Sequence, residues 1–336
     1  MKKLLALLLA LLMVLSLAAC GGSGSSSGDA GDKGGDAAAS GTSLSIGTGG
    51  SSGTYYAFAG VLATYIKQET GIDITVNETT GSAANITGID QGMYDLATVQ
   101  SDVLGYAYNG TNTFEETGAV NSFVVLGALY AEQVQLITCD PAITSVSDLA
   151  GKNVCVGDVG SGTYYNTMDI LSAYDMTIDD INPVYQSFQD SAESLKDGKI
   201  DAAVVTAGAP TPAITDLAAT KDVYIISIDQ EHMDKLLANA PWYASYTIPA
   251  GTYNGFDEDA TTITTKATLI AKSDIDDDTA YTIVSTIFDN ADAIAELHAK
   301  GAVLDLTFAT EGMAAPFSPG AAKYYAEHDI TVEAAG

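Results

Sequence analysis

Arginine is absent from this 336-residue chain; its basic side chains are 13 lysines, set against 43 acids for a formal net charge of −30. A bidentate guanidinium–carboxylate fork is therefore impossible, and an anionic ligand has to be met by backbone amides, hydroxyls, side-chain amides or a lysine. Clustered cations are missing too, which excludes a nucleic-acid footprint and a polybasic hold on anionic lipid. Histidine and cysteine number three each, in no spacing that suggests a metal cluster. Cys139 and Cys155 form no C-x-x-C pair; they read equally as inert buried thiols or as a disulfide, since sequence does not give their separation.

Catalytic patterns are missing as well. Ser52 has Gly50 two residues before it but Thr54 where a Gly-x-Ser-x-Gly nucleophile needs its second glycine. His232, His298 and His328 lie far from the serine loops in sequence, and His298 falls in register with the apolar side of the last helix. Asp274, Asp276 and Asp278 imitate the start of a calcium loop, yet Thr279 holds its glycine position and Ser285 its closing glutamate. A serine-dependent hydrolase is the weakest alternative; no catalytic residue, cofactor or metal is expected.

What is present begins with a secretory signal at residues 1–19: Lys2 and Lys3, then an apolar run from Leu4 to Leu17 that is too short for a membrane span. It closes on Leu17-Ala18-Ala19-Cys20, which resembles a bacterial lipoprotein signal in which Cys20 becomes the lipid-modified N-terminus. Residues 20–43 are, apart from Cys20, Lys33 and Thr42, all Gly, Ser, Ala and Asp, without a large apolar residue, and read as a flexible tether. Together these imply an extracytoplasmic protein anchored to a cell membrane by lipid. The long tether suits the outer face of a single membrane.

The remaining chain is long enough for two domains, and it carries an internal echo. Ser52–Tyr56 and Ser161–Tyr165 both spell SGTYY, each behind a short strand and a glycine loop and ahead of a helical pattern. That pattern is Phe58, Val61, Leu62, Tyr65, Ile66 in the first copy and Tyr164, Met168, Leu171, Tyr174 in the second. A Gly-x-x-Asp turn feeding a buried strand also occurs twice, at Gly92–Asp95 and Gly198–Asp201. Matched features in one order at nearly one offset predict two similar α/β lobes. The run Leu126–Thr138 has the length to cross between them, and a return is expected near Tyr246–Tyr253. Lobe 1 then comprises 44–132 and 246–336, and lobe 2 comprises 133–245.

In open α/β sheets ligands sit where strands end in loops that enter helices. A Ser-Gly-Thr turn there offers free N–H groups and hydroxyls to an anion, and the tyrosines add flat walls. The candidate ligand-binding residues are Ser52, Gly53, Thr54 and Tyr55 in one loop, with Ser161, Gly162, Thr163 and Tyr164 in its copy. Ser82 and Asn85 open a further helix, Gln100 and Ser101 end one buried strand, and Thr206 and Ala209 follow the other.

These stretches, with Asp148-Leu-Ala-Gly-Lys-Asn-Val154, Pro210-Thr-Pro-Ala-Ile214 and Ile248-Pro-Ala-Gly-Thr-Tyr253, resemble the solute receptors of TRAP transporters of the TAXI type (TRAP-associated extracytoplasmic immunogenic protein). The likeness covers residues 44 to about 328. It implies a two-lobed periplasmic-binding-protein fold of type II-like design, a monomer with a ligand cleft between lobes and more than one hinge crossing. It implies capture of a small organic acid such as glutamate or 2-oxoglutarate and delivery to TRAP membrane permease subunits driven by an ion gradient. Pro316-Phe-Ser-Pro-Gly320 resembles the family's C-terminal turn, which often has histidine where Ser318 stands. A sensor lipoprotein without a transport role is the alternative.

Overall fold

The computed structural model describes residues 41–336, so the expected signal segment, Cys20 and nearly all of the 20–43 tether lie outside the described residues. The first lobe starts with β1 (Ser43–Gly47), α1 (Thr54–Thr70), β2 (Asp73–Asn77), α2 (Ser82–Asp90), β3 (Leu96–Gln100) and α3 (Ser101–Asn109). Then β4 (Phe123–Thr138) runs into β5 (Asn153–Cys155), α4 (Thr163–Ala173), β6 (Asn182–Val184), α5 (Phe188–Lys196) and β7 (Ala202–Ala207). After α6 (Pro212–Ala218), β8 (Tyr224–Ile225), α7 (Gln230–Asn239) and β9 (Ala244–Ile248), strand β10 (Ala260–Lys272) leads to α8 (Asp277–Asp289), α9 (Ala291–Leu297), α10 (Leu306–Thr310) and α11 (Pro319–Glu327).

All strands join one sheet in the order β2-β1-β3-β10-β4-β7-β5-β6, with β8 beside β4 and β9 beside β10. The repeat seen in sequence is a repeat of topology. In one half β1 pairs parallel with β2 and β3 before antiparallel β10 follows. In the other β5 pairs parallel with β6 and β7 before antiparallel β4 follows. The two Gly-x-x-Asp turns do equivalent work. Gly92 and Gly198 take φ of 70° and 67°, a region only glycine enters cheaply. Asp95 then accepts Ser45 N–H at 2.9 Å, and Asp201 accepts Asn153 N–H at 2.8 Å. Each carboxylate thereby ties its turn to the parallel strand next door.

Strand β4 is 16 residues long, about 50 Å at strand rise, and its apolar run serves two cores. Tyr130 packs with Phe58, Leu104 and Phe123 in the first lobe, whereas Val134 packs with Val154, Leu171 and Val204 in the second. On β10 the handover falls between Ile263 and Ala267. The return crossing thus differs from the expected Tyr246–Tyr253. Ile248 and Tyr253 pack with Val205 and Leu217 on the second lobe's other face. Strand β10 starts Ala-Thr-Thr-Ile-Thr-Thr-Lys, so its crossing portion carries no apolar run. Between the cores both crossing strands turn polar, at Glu132-Gln133 and Thr264-Thr265-Lys266.

Helix α1 ends on Gly71 at φ 79°, whose N–H closes on Lys67 O, the usual left-handed glycine stop. Its buried face is Phe58, Leu62 and Ile66, each worth roughly 2 kcal/mol in area removed from water. The helical register that put His298 on the apolar side of a last helix is broken at Asn290, between α8 and α9. His298 therefore stands past the end of α9, where its ring meets Phe58 at 5.1 Å and its Nδ1 accepts Lys300 N–H. Asp276 is the cap of α8, accepting Thr279 N–H at 2.9 Å. Cys139 and Cys155 are unpaired thiols, and Cys155 Sγ accepts the Ser191 hydroxyl.

Ser318, the residue that stands in place of the related histidine, is fully buried and caps α11 by accepting Ala321 N–H at 3.0 Å. Ser318→Ala is expected to lower unfolding stability by ~1 kcal/mol. Urea denaturation measures this; an unchanged midpoint would show that the cap contributes nothing.

Candidate ligand-binding site

The two SGTYY turns lie on opposite lobes and face one cavity of about 320 Å³. From the first lobe come Gly53 and Tyr55 at the start of α1, the segment Glu78–Ser82, and Gln100 at the end of β3. From the second come Asp158, Ser161–Thr163 at the start of α4, Gln186–Phe188, and Thr206 on β7. Glu132 stands between them on the crossing strand β4.

Eight of the fourteen candidate residues line this cavity: Gly53, Tyr55, Ser82, Gln100, Ser161, Gly162, Thr163 and Thr206. The others lie around it, each held by contacts with other parts of the chain. Thr54 is buried, and its hydroxyl donates to Gly208 O of the opposite lobe at 2.8 Å. Ser52 O accepts Ala213 N–H from that lobe at 3.2 Å. Asn85, fully buried, donates to Thr48 O and Thr98 O and so fixes the glycine loop against β3. Ser101 shares a hydroxyl contact with Thr265. Tyr164 packs edge-on against Tyr165 and beside Tyr185. Ala209 donates its N–H to Gln133 Oε1, and its carbonyl accepts from Lys300 Nζ.

Buried polar bridges hold the lobes together beside the cavity. The Gly160 carbonyl accepts Ala83 and Ala84 N–H at the N-terminus of α2. Gln100 Nε2 donates to Asn166 Oδ1 at 2.9 Å, and Asn166 Nδ2 donates to Asp102 Oδ2 at 2.9 Å. Burial pushes the Asp102 carboxyl upward, opposed by hydrogen bonds from Thr265 and Asn166. Asp169, joined through the Tyr243 hydroxyl, is pushed up to about 6, again chiefly by burial.

The sequence model of the NMT1-like family matches residues 46–328, most of the chain. The chain belongs to the NMT1-like family. Among solved structures, one from Bordetella bronchiseptica RB50 shares the fold at a TM-score of 0.50 and 16% identity, over 85% of this chain and 89% of that one. The alkanesulfonate-binding protein SsuA from Xanthomonas axonopodis pv. citri, bound to MOPS, aligns at 0.48 and 16% over 87% and 93%. An ABC uptake transporter substrate-binding protein from Streptococcus pneumoniae with bound histidine aligns at 0.47 and 16% over 76% and 91%.

Sequence reasoning passed over two features of this NMT1-like site. One is Glu132, 1% exposed on the cavity wall, whose Oε2 accepts the Tyr55 hydroxyl at 2.6 Å. Burial, reinforced by Asp102 and eased by Tyr55 and Lys300, pushes its carboxyl up to about 8. One acid inside an apolar strand run is the only sequence trace it leaves. The other feature is a pair of buried atoms on the lining, Ser161 Oγ and Gln186 Oε1, that have no hydrogen-bond partner. Buried polar atoms without partners are uncommon in folded proteins, and these two belong to residues that line one cavity.

Proposed function

We propose that this protein is an extracytoplasmic receptor that captures a small solute between its lobes and presents it to a membrane permease. The observation that carries the reading is the cavity itself: both copies of one loop, from two lobes, line a volume typical of small-molecule sites. The unpartnered Ser161 and Gln186 atoms in its wall fit a solute that supplies polar partners. The first-turn amides of α1 and α4 have no partner within their helices, and they suit a carboxylate without help from arginine. Family likeness makes an ion-gradient-driven TRAP permease of the TAXI type the proposed partner, with Cys20 as the lipid anchor. Among the described residues, no helix is long and apolar enough to cross a membrane.

The lobe boundaries proposed for closure fall at Glu132-Gln133 on β4 and Thr264-Thr265-Lys266 on β10, between the separate cores. Hinge rotation at two adjacent antiparallel strands would open and close the cleft. Screening the purified chain against amino, oxo and neutral solutes by thermal shift, with calorimetry on hits, tests the reading. One-to-one saturable binding of a small solute is expected. A melting temperature unmoved by every small solute would remove the receptor assignment.

A further inference from the structure

The cavity has an acidic lining. Glu78, Glu132 and Asp158 contribute to its wall, and among the described residues no lysine does. The three acids are not equivalent. Glu78 is exposed at the rim and accepts the Ser51 N–H and hydroxyl. Asp158 is half-buried and accepts Val159 N–H. Glu132 is deep, and the structure gives it one hydrogen bond, from Tyr55 to Oε2; Oε1 has no partner among the described residues.

The nearest cation does not supply one. Lys300 Nζ donates to Ala209 O at 2.9 Å and lies 5.3 Å from the centre of the Tyr130 ring, outside ion-pair distance of Glu132. The other groups facing Glu132 are the hydroxyls of Tyr55 and Tyr130 and the carboxyl of Asp102. A buried carboxylate with one hydrogen bond and only a distant Lys300 to offset its charge is costly, so it holds a proton until a cation arrives.

We infer that the solute carries a positively charged nitrogen that docks on the free oxygen of Glu132, making Glu132 the residue that selects the ligand's charge. This deepens the receptor reading and rests on it. A purely anionic acid would enter a chamber of three carboxyl groups with only amides and hydroxyls to hold it. A solute with an ammonium group meets Glu132, and its carboxylate, where it has one, takes the helix N-termini. Binding then releases the Glu132 proton. Because burial pushes the free carboxyl up to about 8, affinity should rise with pH below that value, ~10-fold per pH unit for one linked proton.

The experiment compares amino acids with the 2-oxo acids of the same skeleton (leucine with 4-methyl-2-oxopentanoate, glutamate with 2-oxoglutarate, phenylalanine with phenylpyruvate), plus putrescine as a cation without a carboxylate. Calorimetry on the full mature chain at pH 6, 7 and 8 is the readout. The expected result is a preference of ~30-fold or more for the nitrogen-bearing probes, affinity that rises with pH, and loss of both in Glu132→Gln. Glu132→Gln keeps the shape and the Tyr55 contact; its melting transition checks folding, and the wild-type pH profile does not depend on the variant. Oxo acids binding as tightly as their partners, or affinity that falls as pH rises because a protonated Glu132 donates to a carboxylate, would overturn the inference and leave the receptor reading standing. Silence from these probes while a neutral or anionic solute from the wider screen binds would overturn it too. No binding by any solute removes the receptor reading, and this inference with it.

Discussion

Alanine at Gly162 is expected to weaken solute binding about 100-fold while leaving the chain folded. Gly162 has ordinary right-handed backbone angles, φ −73° and ψ −22°, so alanine is allowed conformationally. The obstacle lies across the cleft, where a Cβ would overlap the carboxamide of Gln100. A lone glutamine could swing aside, but this one is buried and pinned, donating to Asn166 Oδ1 at 2.9 Å and Asp102 Oδ1 at 3.3 Å. Moving it breaks the bridge that joins β3 of the first lobe to α4 of the second. Neither lobe's apolar core is touched, so the damage falls on closure. Calorimetric affinity together with the radius of gyration from X-ray scattering checks this. Wild-type affinity in Gly162→Ala would show that Gln100 yields easily and that the lobes need not approach this closely.

Gly320→Ala is expected to cost more than ~3 kcal/mol of unfolding stability. Gly320 lies in the first turn of α11, where that helix crosses the start of α8. A Cβ would run into the backbone carbonyl of Asp277 and stand 2.9 Å from Tyr281 N. Both contacts are backbone, so no rotamer change relieves them and the helices must part. Tyr324 and Tyr325, buried on α11, would lose their packing, and Tyr325 would lose its 2.8 Å hydrogen bond to Leu126 O on β4. Urea unfolding of wild type and variant gives the difference. A loss under 1 kcal/mol would mean that α11 shifts freely and is not locked to the first lobe.

The features legible in sequence were those written with a period or a repeat. The Leu126–Thr138 run was legible as an apolar segment long enough to cross between lobes, and β4 spans Phe123–Thr138. Paired SGTYY loops and paired Gly-x-x-Asp turns announced two alike halves, because equal backbone geometry demands glycine and aspartate at equal places. The return strand was missed because the paired threonines at the start of β10 carry no apolar run. Which atoms of a recognised loop face the cavity was equally invisible. Tyr55 lines the cavity, whereas the Thr54 hydroxyl crosses to Gly208; adjacent helix residues point about 100° apart, and only lobe contact decides between them.

The sequence by itself determined the α/β class, the duplicated halves, the lack of any guanidinium and the loops that meet at the cleft. Each of these follows from composition or from local backbone rules. Tertiary structure alone decided the site's charge. It set Glu132 of the crossing strand between two lobes whose own residues leave it a single hydroxyl partner. Burial and the lack of a direct ion pair are properties of the closed cleft, made by segments far apart along the chain, so no local pattern encodes them.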